Sequence, residues 1–224
     1  MISDPTQLLP AIEIETGFSQ PAYTIIWLHG LGADGNDFVP IVRELEVPPP
    51  VSIRFVFPHA PERPVSINNG YVMRAWYDIY HAVIDRQQDE IGIRASQKAI
   101  DRLIQREVER GIPSQNIIVA GFSQGGAMAL QVGLRQTLPL AGIIALSCYL
   151  PLAGMLDTEA SDANATIPIL MMHGTYDPIV PLPLAIFSRE KLLSAKYSLQ
   201  WHEYPMAHSV CAEEIADISR WLQG

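Results

Sequence analysis

Short apolar runs alternate with longer stretches of helical periodicity through this 224-residue chain, and no other feature constrains its fold as strongly. The runs have the length and branched composition of buried strands, whereas the longer stretches carry apolar residues at helical spacing. In residues 96–110, an apolar stripe is formed by Ala99, Leu103, Ile104 and Val108. Strands that alternate with helices predict an α/β fold with a mostly parallel central sheet and helices on both faces.

The individual elements follow from the same periodicity. We predict strands at residues 24–28, 53–57, 117–120, 142–146, 167–172 and 199–204, with a further antiparallel strand at residues 11–15. We predict helices at residues 96–110, 125–135, 184–195 and 213–222. The run at 199–204 alternates apolar with polar residues and is therefore expected at an edge of the sheet. No linker or internal repeat divides the chain, so residues 1–224 are predicted to form a single domain.

The charge balance excludes one class of partner. The chain has 15 Lys and Arg residues against 24 Asp and Glu residues, a net charge of −9, and no run of basic residues. Since nucleic acids bind clusters of Lys and Arg, we predict no nucleic-acid partner and a neutral or apolar substrate. Two cysteines do not make a disulfide framework, and the N-terminus lacks the positive charge of a signal peptide. We therefore expect a cytoplasmic protein.

One uncharged stretch has the length of a membrane span. Residues 138–156 contain no charge, and about 20 apolar residues suffice to cross a bilayer. However, Pro139 and Pro151 interrupt the stretch, and proline removes a donor from the helical ladder. Its centre is better explained as the buried strand at 142–146, so we predict no membrane span. Peripheral contact with a membrane and a homodimer are both compatible with the sequence.

Ser123 lies at the centre of a Gly-x-Ser-x-Gly pattern formed with Gly121 and Gly125. The pattern alone is a weak signal, but here it follows the predicted strand at 117–120 and opens the predicted helix at 125–135. That context is typical of a nucleophile elbow. Its glycines relieve crowding in a strained turn, and its helix N-terminus directs N–H groups at a developing oxyanion. A glycine-rich turn with an incidental serine is the alternative.

A serine hydroxyl needs a base, and in elbow enzymes the chain order is serine, acid, histidine. Three histidines follow the elbow: His173, His202 and His208. His173 lies at the end of a predicted strand, and His202 falls within the predicted edge strand. His208 lies in the loop between that strand and the last predicted helix. Because a loop histidine can reach Ser123, we predict His208 as the base.

Asp177 is the predicted acid. It follows the predicted strand at 167–172, in a loop from which a carboxylate can lean over the carboxyl edge of the sheet. Three other carboxylates also precede His208, in an earlier polar loop, and stay as alternatives: Asp157, Glu159 and Asp162.

The glycine-rich loop after the first core strand has two interpretations. Gly30, Gly32 and Gly35 match the G-x-G-x-x-G pattern of dinucleotide sites and follow a predicted strand. Such a site also needs an acid at the end of the next strand to hold a ribose, and the strand at 53–57 ends without one. The loop fits the second half of an oxyanion hole better. A dinucleotide-binding enzyme is the less favoured alternative.

Five motifs occur together in one order: HGLGADG, a segment from PHAP to WYDI, GFSQGGAMAL, HGTYDPIVP and the pair Ala207-His208. In this order they resemble the acyl-protein thioesterases and the bacterial carboxylesterase/lysophospholipase II proteins. The similarity runs from about residue 24 to the C-terminus, and two of the motifs, GFSQGGAMAL and HGTYDPIVP, are much more specific than Gly-x-Ser-x-Gly. Many relatives have glycine where Ala207 stands, and alanine should still fit there.

The resemblance implies a fold and a set of site residues. The fold is that of the α/β-hydrolases without a large cap domain. The implied residues are Ser123 as nucleophile, Asp177 as acid and His208 as base, with the backbone N–H groups of Leu31 and Gln124 as the oxyanion hole. Residues 58–79 alone predict only a turn-rich loop with buried aromatic side chains. The resemblance implies that Trp76 and Ile79 lie near the substrate, along an acyl-binding groove.

These features together predict a serine esterase. It would cleave short-to-medium acyl esters or thioesters, as small molecules or lipids, through an acyl-enzyme on Ser123. The sequence has no HExxH motif and no Cys/His cluster with ligand spacing, and the mechanism needs no metal or organic cofactor. The alternative from another class is a catalytically silent α/β-hydrolase-like binding protein.

Overall fold

A seven-stranded sheet is the centre of the structure, a computed structural model that describes residues 8–46, 51–81 and 87–224. The strands in chain order are β1 (Ala11–Glu15), β2 (Tyr23–Leu28), β3 (Ile53–Pro58), β4 (Glu62–Val65), β5 (Tyr71–Arg74), β6 (Ile117–Phe122), β7 (Gly142–Leu146), β8 (Ile169–Gly174) and β9 (Leu199–Tyr204). The sheet order is β1-β3-β2-β6-β7-β8-β9, and β4 pairs with β5 in a separate hairpin. Strand β1 is antiparallel to β3, and the other neighbours in the sheet are parallel.

Helices cover both faces of this sheet. They are α1 (Ile41–Glu44), α2 (Glu90–Glu109), α3 (Gln124–Arg135), α4 (Leu156–Glu159), α5 (Leu182–Ser194) and α6 (Ala212–Gln223). Side chains alternate along each strand, so Ile26 packs in the apolar cluster shared with α2, α3 and α5, whereas Ile25 packs in the cluster shared with α1 and α6. The predicted α/β-hydrolase architecture is confirmed, and in the described ranges no large cap domain covers the sheet.

The predicted strands are all found, including the antiparallel β1 and the edge strand β9. Strand β8 begins and ends two residues later than predicted, after Pro168, which has no N–H to donate to a ladder. Helix α2 begins at Glu90 rather than at residue 96, because the Asp89 carboxylate caps it by accepting the Gly92 N–H at 2.9 Å. The hairpin of β4 and β5, placed in a predicted loop, was missed because each strand has only four residues.

The uncharged stretch at residues 138–156 does not form a long helix. Its centre is β7, and all five residues of that strand are buried, as predicted. In the part of the chain that the structure describes, no helix has both the length and the apolar character needed to cross a bilayer. Residues 1–7, on which the expectation about a signal peptide rests, lie outside the described residues.

A buried carboxylate ties α2 to the sheet at the end opposite the elbow. The Glu107 side chain has no exposed surface, and its Oε2 accepts hydrogen bonds from Thr24 Oγ1 at 3.1 Å and Arg54 Nη1 at 2.8 Å. Its Oε1 accepts from Arg106 at 2.9 Å and Arg110 at 3.0 Å. Burial alone would raise the pKa of Glu107, but the Arg54 hydrogen bond and the neighbouring positive charges outweigh it and lower that pKa.

We expect the Glu107→Gln variant to lose about 3–5 kcal/mol of unfolding free energy, since the buried Arg54 guanidinium loses its buried carboxylate partner and keeps only the half-exposed Glu15. The measurement is urea unfolding at pH 7. Glu109→Gln is the matched control, because Glu109 is exposed on the same helix, and it should stay within about 0.5 kcal/mol of the unmodified protein. Equal midpoints for the two variants would show that the ion pairs around Glu107 do not stabilise the fold.

A second buried carboxyl group, Glu214 in the first turn of α6, has a different environment. Its side chain is fully buried, and neither oxygen has a hydrogen-bond partner within the described ranges. Burial raises the pKa of Glu214 to about 8. The folded protein therefore holds this proton at neutral pH, where an unfolded chain would release it.

We expect the contribution of Glu214 to stability to fall as the pH rises from about 4.5, its ordinary pKa, towards about 8. Glu214→Gln removes this proton linkage and should stabilise the protein by about 1–3 kcal/mol at pH 8, with little effect at pH 4.5. Unfolding by urea across this pH range measures the difference. The control is Glu213→Gln, an exposed neighbour in the same turn. A gain that did not depend on pH would contradict this linkage.

Candidate active site

The candidate active site lies at the carboxyl ends of four parallel strands. Leu31 follows β2, Ser123 follows β6, Asp177 follows β8 and His208 follows β9. In a parallel α/β sheet these ends share one edge, where such folds bind their ligands. The topology therefore gathers residues that are far apart in the sequence.

Ser123 sits in a sharp turn between β6 and α3. Its backbone has φ 55° and ψ −120°, a conformation that side chains rarely adopt, and its N–H donates to the Leu146 carbonyl at 2.8 Å. A Cβ atom on Gly121 would lie 2.4 Å from the backbone of Gly125, and one on Gly125 would lie 2.1 Å from the Leu28 carbonyl oxygen. Only glycine fits at either position, so the strained turn explains the Gly-x-Ser-x-Gly pattern.

The three predicted polar residues form one continuous series of hydrogen bonds. His208 Nε2 lies 2.8 Å from Ser123 Oγ, and His208 Nδ1 lies 2.7 Å from Asp177 Oδ2. Because a carboxylate only accepts, Nδ1 carries the proton and Nε2 is left as the acceptor for the serine hydroxyl. The arrangement can therefore remove a proton from Ser123 and place the resulting positive charge beside Asp177.

Asp177 is held by its own loop. The residue is 6% exposed, and its Oδ1 accepts the backbone N–H groups of Ile179 at 2.8 Å and Val180 at 2.9 Å. These two bonds turn Oδ2 towards His208. The carboxylate is thus oriented before any substrate arrives.

Four of the other candidates for base and acid lie elsewhere. His202 is on the outer strand β9, with its Nδ1 3.7 Å from Asp217. Asp157 pairs with Lys191, and Glu159 pairs with Arg94 and Arg135. Asp162 begins a short 3₁₀ turn. None of the four is hydrogen-bonded to Ser123 or His208 within the described ranges.

Two backbone N–H groups flank Ser123. Within residues 8–46, 51–81 and 87–224, neither the Leu31 N–H nor the Gln124 N–H has a hydrogen-bond partner. Gln124 is the first residue of α3, where N–H groups point out of the helix. A Cβ on Gly30 would lie 3.5 Å from the Ser123 Cβ, so the loop that carries Leu31 passes directly beside the serine. Both of these N–H groups therefore belong to segments that adjoin Ser123.

The Gln124 side chain has a role that sequence reasoning missed. Its Oε1 accepts the Trp76 backbone N–H at 2.7 Å, and its Nε2 donates to the Tyr77 carbonyl at 2.7 Å. These contacts join residues 47 or more positions apart. The only signal in the sequence was the polar residue directly after the serine, which no local pattern connects to the aromatic segment.

Trp76 is not placed as the resemblance implied. It has no exposed surface, and its indole N–H donates to the His29 carbonyl at 2.9 Å. It therefore lies beneath the glycine loop and braces it, rather than lining a groove open to solvent. Ile79, the other residue expected near the substrate, is half-buried.

His29 fixes the same loop from its other side. Its Nδ1 lies 2.7 Å from the Gly30 carbonyl, and its Nε2 accepts the Ala60 N–H at 3.0 Å. Burial lowers the pKa of His29 to about 4, so its ring is neutral at pH 7. This histidine holds the backbone that presents the Leu31 N–H and was also missed from the sequence.

In the ranges that the structure describes, no three side chains of His, Cys, Asp and Glu are grouped as ligands of one metal ion.

A strained serine, a histidine and a carboxylate in hydrogen-bonded series, set on this sheet, define a serine hydrolase with the α/β-hydrolase fold. Comparison with known proteins supports the same class. The phospholipase/carboxylesterase family matches residues 9–224. The chain belongs to that family, and it is a serine hydrolase of the carboxylic-ester class, as the sequence predicted.

Similar proteins cover nearly the whole chain. Acyl-protein thioesterase 1 of Gibberella zeae is 38% identical over 214 residues, which are 92% of this chain and 91% of that protein. Acyl-protein thioesterase 1 of Neurospora crassa is 38% identical over 227 residues, covering 97% and 90% of the two chains. The crystal structure of Zea mays acyl-protein thioesterase 2 superposes with a TM-score of 0.84 at 29% identity, covering 96% of this chain and 97% of that one.

Proposed function

We propose that this enzyme hydrolyses short-to-medium acyl esters and thioesters through an acyl-enzyme on Ser123, with His208 as the general base and Asp177 as its orienting acid. The observation that carries the proposal is the unbroken series from Ser123 Oγ to His208 at 2.8 Å and from His208 to Asp177 at 2.7 Å. The relatives named acyl-protein thioesterase support the thioester as a substrate class.

The reaction follows from these contacts. His208 Nε2 takes the proton of Ser123 as Oγ attacks the carbonyl carbon, and Asp177 stabilises the imidazolium that forms. His208 then gives this proton to the departing alkoxide or thiolate, which leaves as alcohol or thiol. In the second half, water loses a proton to His208 and attacks the acyl-enzyme, and Ser123 recovers its proton as the acid departs.

The Leu31 and Gln124 N–H groups stabilise the negative oxygen of both tetrahedral intermediates. Loss of one such donor raises the activation free energy by about 2.7–4 kcal/mol in the case measured with a side-chain donor. The hydrogen bonds from the Gln124 amide to Trp76 and Tyr77 keep the first turn of α3 fixed against the aromatic segment. The donors are thereby oriented before the charge develops.

The acyl chain has apolar surface on two sides of Ser123. The β4–β5 hairpin exposes Tyr71 and Val72, and its Arg74 carbonyl accepts the Gly32 N–H at 2.9 Å, so the hairpin adjoins the glycine loop. Tyr176 and Ile179 are exposed on either side of Asp177. The same exposed side chains support peripheral contact with a membrane that carries the substrate.

Ile79 supplies apolar surface close to the elbow. It is half-buried and lies two residues after Tyr77. Because the Tyr77 carbonyl accepts a hydrogen bond from the Gln124 side chain, this segment adjoins Ser123 and the start of α3. We also place the enzyme in the cytoplasm, which fits its two free cysteines.

The test combines active-site labelling with a substrate panel. A fluorophosphonate should label one residue, Ser123, and abolish turnover of p-nitrophenyl esters, lysophospholipids and acyl-thioesters together. An enzyme that hydrolysed these substrates without labelling at Ser123 would contradict the assignment of the nucleophile. An absence of both labelling and turnover would favour the catalytically silent binding protein.

The acyl preference is read from kcat/KM across esters from acetate to palmitate. Each buried methylene contributes up to about 0.8 kcal/mol, roughly fourfold in kcat/KM, until the chain extends beyond the apolar surface around Ile79. Ile79→Ala should flatten this rise and leave acetate hydrolysis within about twofold. Ile91→Ala, at a residue 84% exposed on α2, is the matched control. A flat profile in the unmodified enzyme would show that no groove selects the chain.

A further inference from the structure

His173 is a fully buried histidine that lies beside Asp177 outside the Ser123–His208–Asp177 series. We propose that it is a positioning residue: its neutral ring, protonated on Nε2, holds the turn that presents Asp177 to His208. The inference rests on the proposed function, in which Asp177 orients the base. It assigns a task to the first residue of the HGTYDPIVP motif, to which the proposed function gives none.

The contacts of the ring fix its tautomer. His173 Nε2 lies 2.8 Å from the Val180 carbonyl oxygen, and since a carbonyl only accepts, the proton is on Nε2. Nδ1 is buried and has no partner in the described part of the chain, so a second proton there would have no acceptor. Burial also lowers the pKa of His173, which keeps the ring neutral.

Val180 connects His173 to the Asp177 carboxylate. Its carbonyl accepts from His173, while its N–H donates to Asp177 Oδ1 at 2.9 Å. The Asp177 Oδ2 atom, which accepts from His208, lies 3.6 Å from His173 Nε2. The imidazole therefore holds the turn from residue 177 to 180 through its hydrogen bond to Val180, and this turn holds the Asp177 carboxylate.

The charges around His173 explain why neutrality matters. Asp177, His208 and Glu203, its partner across β9, are the charged or titratable groups that face it. On its other side β7 has the sequence GIIAL and contributes none. A positive charge on His173 would pair with Asp177 and compete with the His208 imidazolium. A neutral donor leaves the full charge of the carboxylate available to His208.

Among the described residues, no charged group on α5 or α6 forms an ion pair with the ring. From α5, Arg189 lies over the Trp201 ring, which stacks on His173 with centroids 6.3 Å apart. Helix α6 packs on the opposite face of the sheet, in the apolar cluster that contains Met172 and Ile218.

Three substitutions separate this role from mere packing. His173→Gln keeps an N–H donor at the distance of Nε2, His173→Asn shortens that reach, and His173→Leu fills similar space with no donor. We expect the Leu and Asn variants to lose about 10- to 100-fold in kcat with KM within twofold, as for a misaligned catalytic group. In both, the apparent pKa in the pH profile of kcat/KM should fall, because His208 loses an aligned counter-charge. His173→Gln should restore most of kcat and the original profile.

The comparison of Gln with Asn decides the outcome even where the Leu variant fails to fold. Equal activity of the Gln and Asn variants, high or low, overturns the proposal, and so does an unchanged pH profile in an impaired Asn variant. Fluorophosphonate labelling of Ser123 is followed in every variant. If Ser123 is still labelled and the His173→Gln and His173→Asn variants have equal activity, the role of His173 is rejected and the proposed function stands. If the fluorophosphonate labels another residue of the unmodified enzyme, the proposed function is rejected.

Discussion

Replacing Ser123 with alanine is expected to lower kcat for a p-nitrophenyl ester at least a thousandfold, and to leave the unfolding free energy almost unchanged. The hydroxyl carries the covalent step, so its loss removes the acyl-enzyme route entirely, and the residual rate reflects only the oxyanion donors and substrate binding. Alanine fits the same strained turn, because the neighbouring glycines and not the hydroxyl fix the β6–α3 geometry. The substitution removes only the hydrogen bond between Ser123 Oγ and His208. Initial rates and urea unfolding measure the two quantities.

Ser147→Ala is the matched control. Ser147 is also a buried serine directly after a central strand, it also has a positive φ of 47°, and its Oγ has no hydrogen-bond partner among the described residues. Its removal should leave kcat within about twofold. If the Ser123 variant kept more than a few per cent of the activity after titration for contaminating enzyme, another residue would be the nucleophile.

The elbow could be predicted because its residues form one short pattern. Gly121 is required by a clash with the backbone of Gly125, four positions later, and Gly125 by a clash with Leu28 of the adjacent strand, so both required positions fall within five residues of sequence. The sheet also follows from local periodicity, since strands buried on both faces give continuous apolar runs. His208 and Asp177 were placed by the kind of loop that each occupies.

The supporting contacts could not be predicted, because they join distant segments. The Gln124 amide meets Trp76 across 48 positions, and nothing in either local sequence indicates the pairing. Trp76 was expected in the wall of a groove, but an aromatic side chain fits a groove wall and a buried core equally well. Only the fold places its indole N–H against the His29 carbonyl. The β4–β5 hairpin was missed for a related reason: strands of four residues are too short for periodicity to identify.

His208→Ala is expected to lose as much activity as Ser123→Ala, at least about a thousandfold in kcat, because the serine is unreactive without a base. Residues that act as a unit are not additive, so the double variant of Ser123 and His208 should be no slower than either single variant. His202→Ala is a suitable control, since His202 also has a carboxylate nearby, Asp217 at 3.7 Å, but no hydrogen bond to a serine among the described residues. It should keep nearly full activity. An inactive His202 variant beside an active His208 variant would reverse the assignment of the base, and a double variant much slower than both singles would show that Ser123 and His208 do not act in one step.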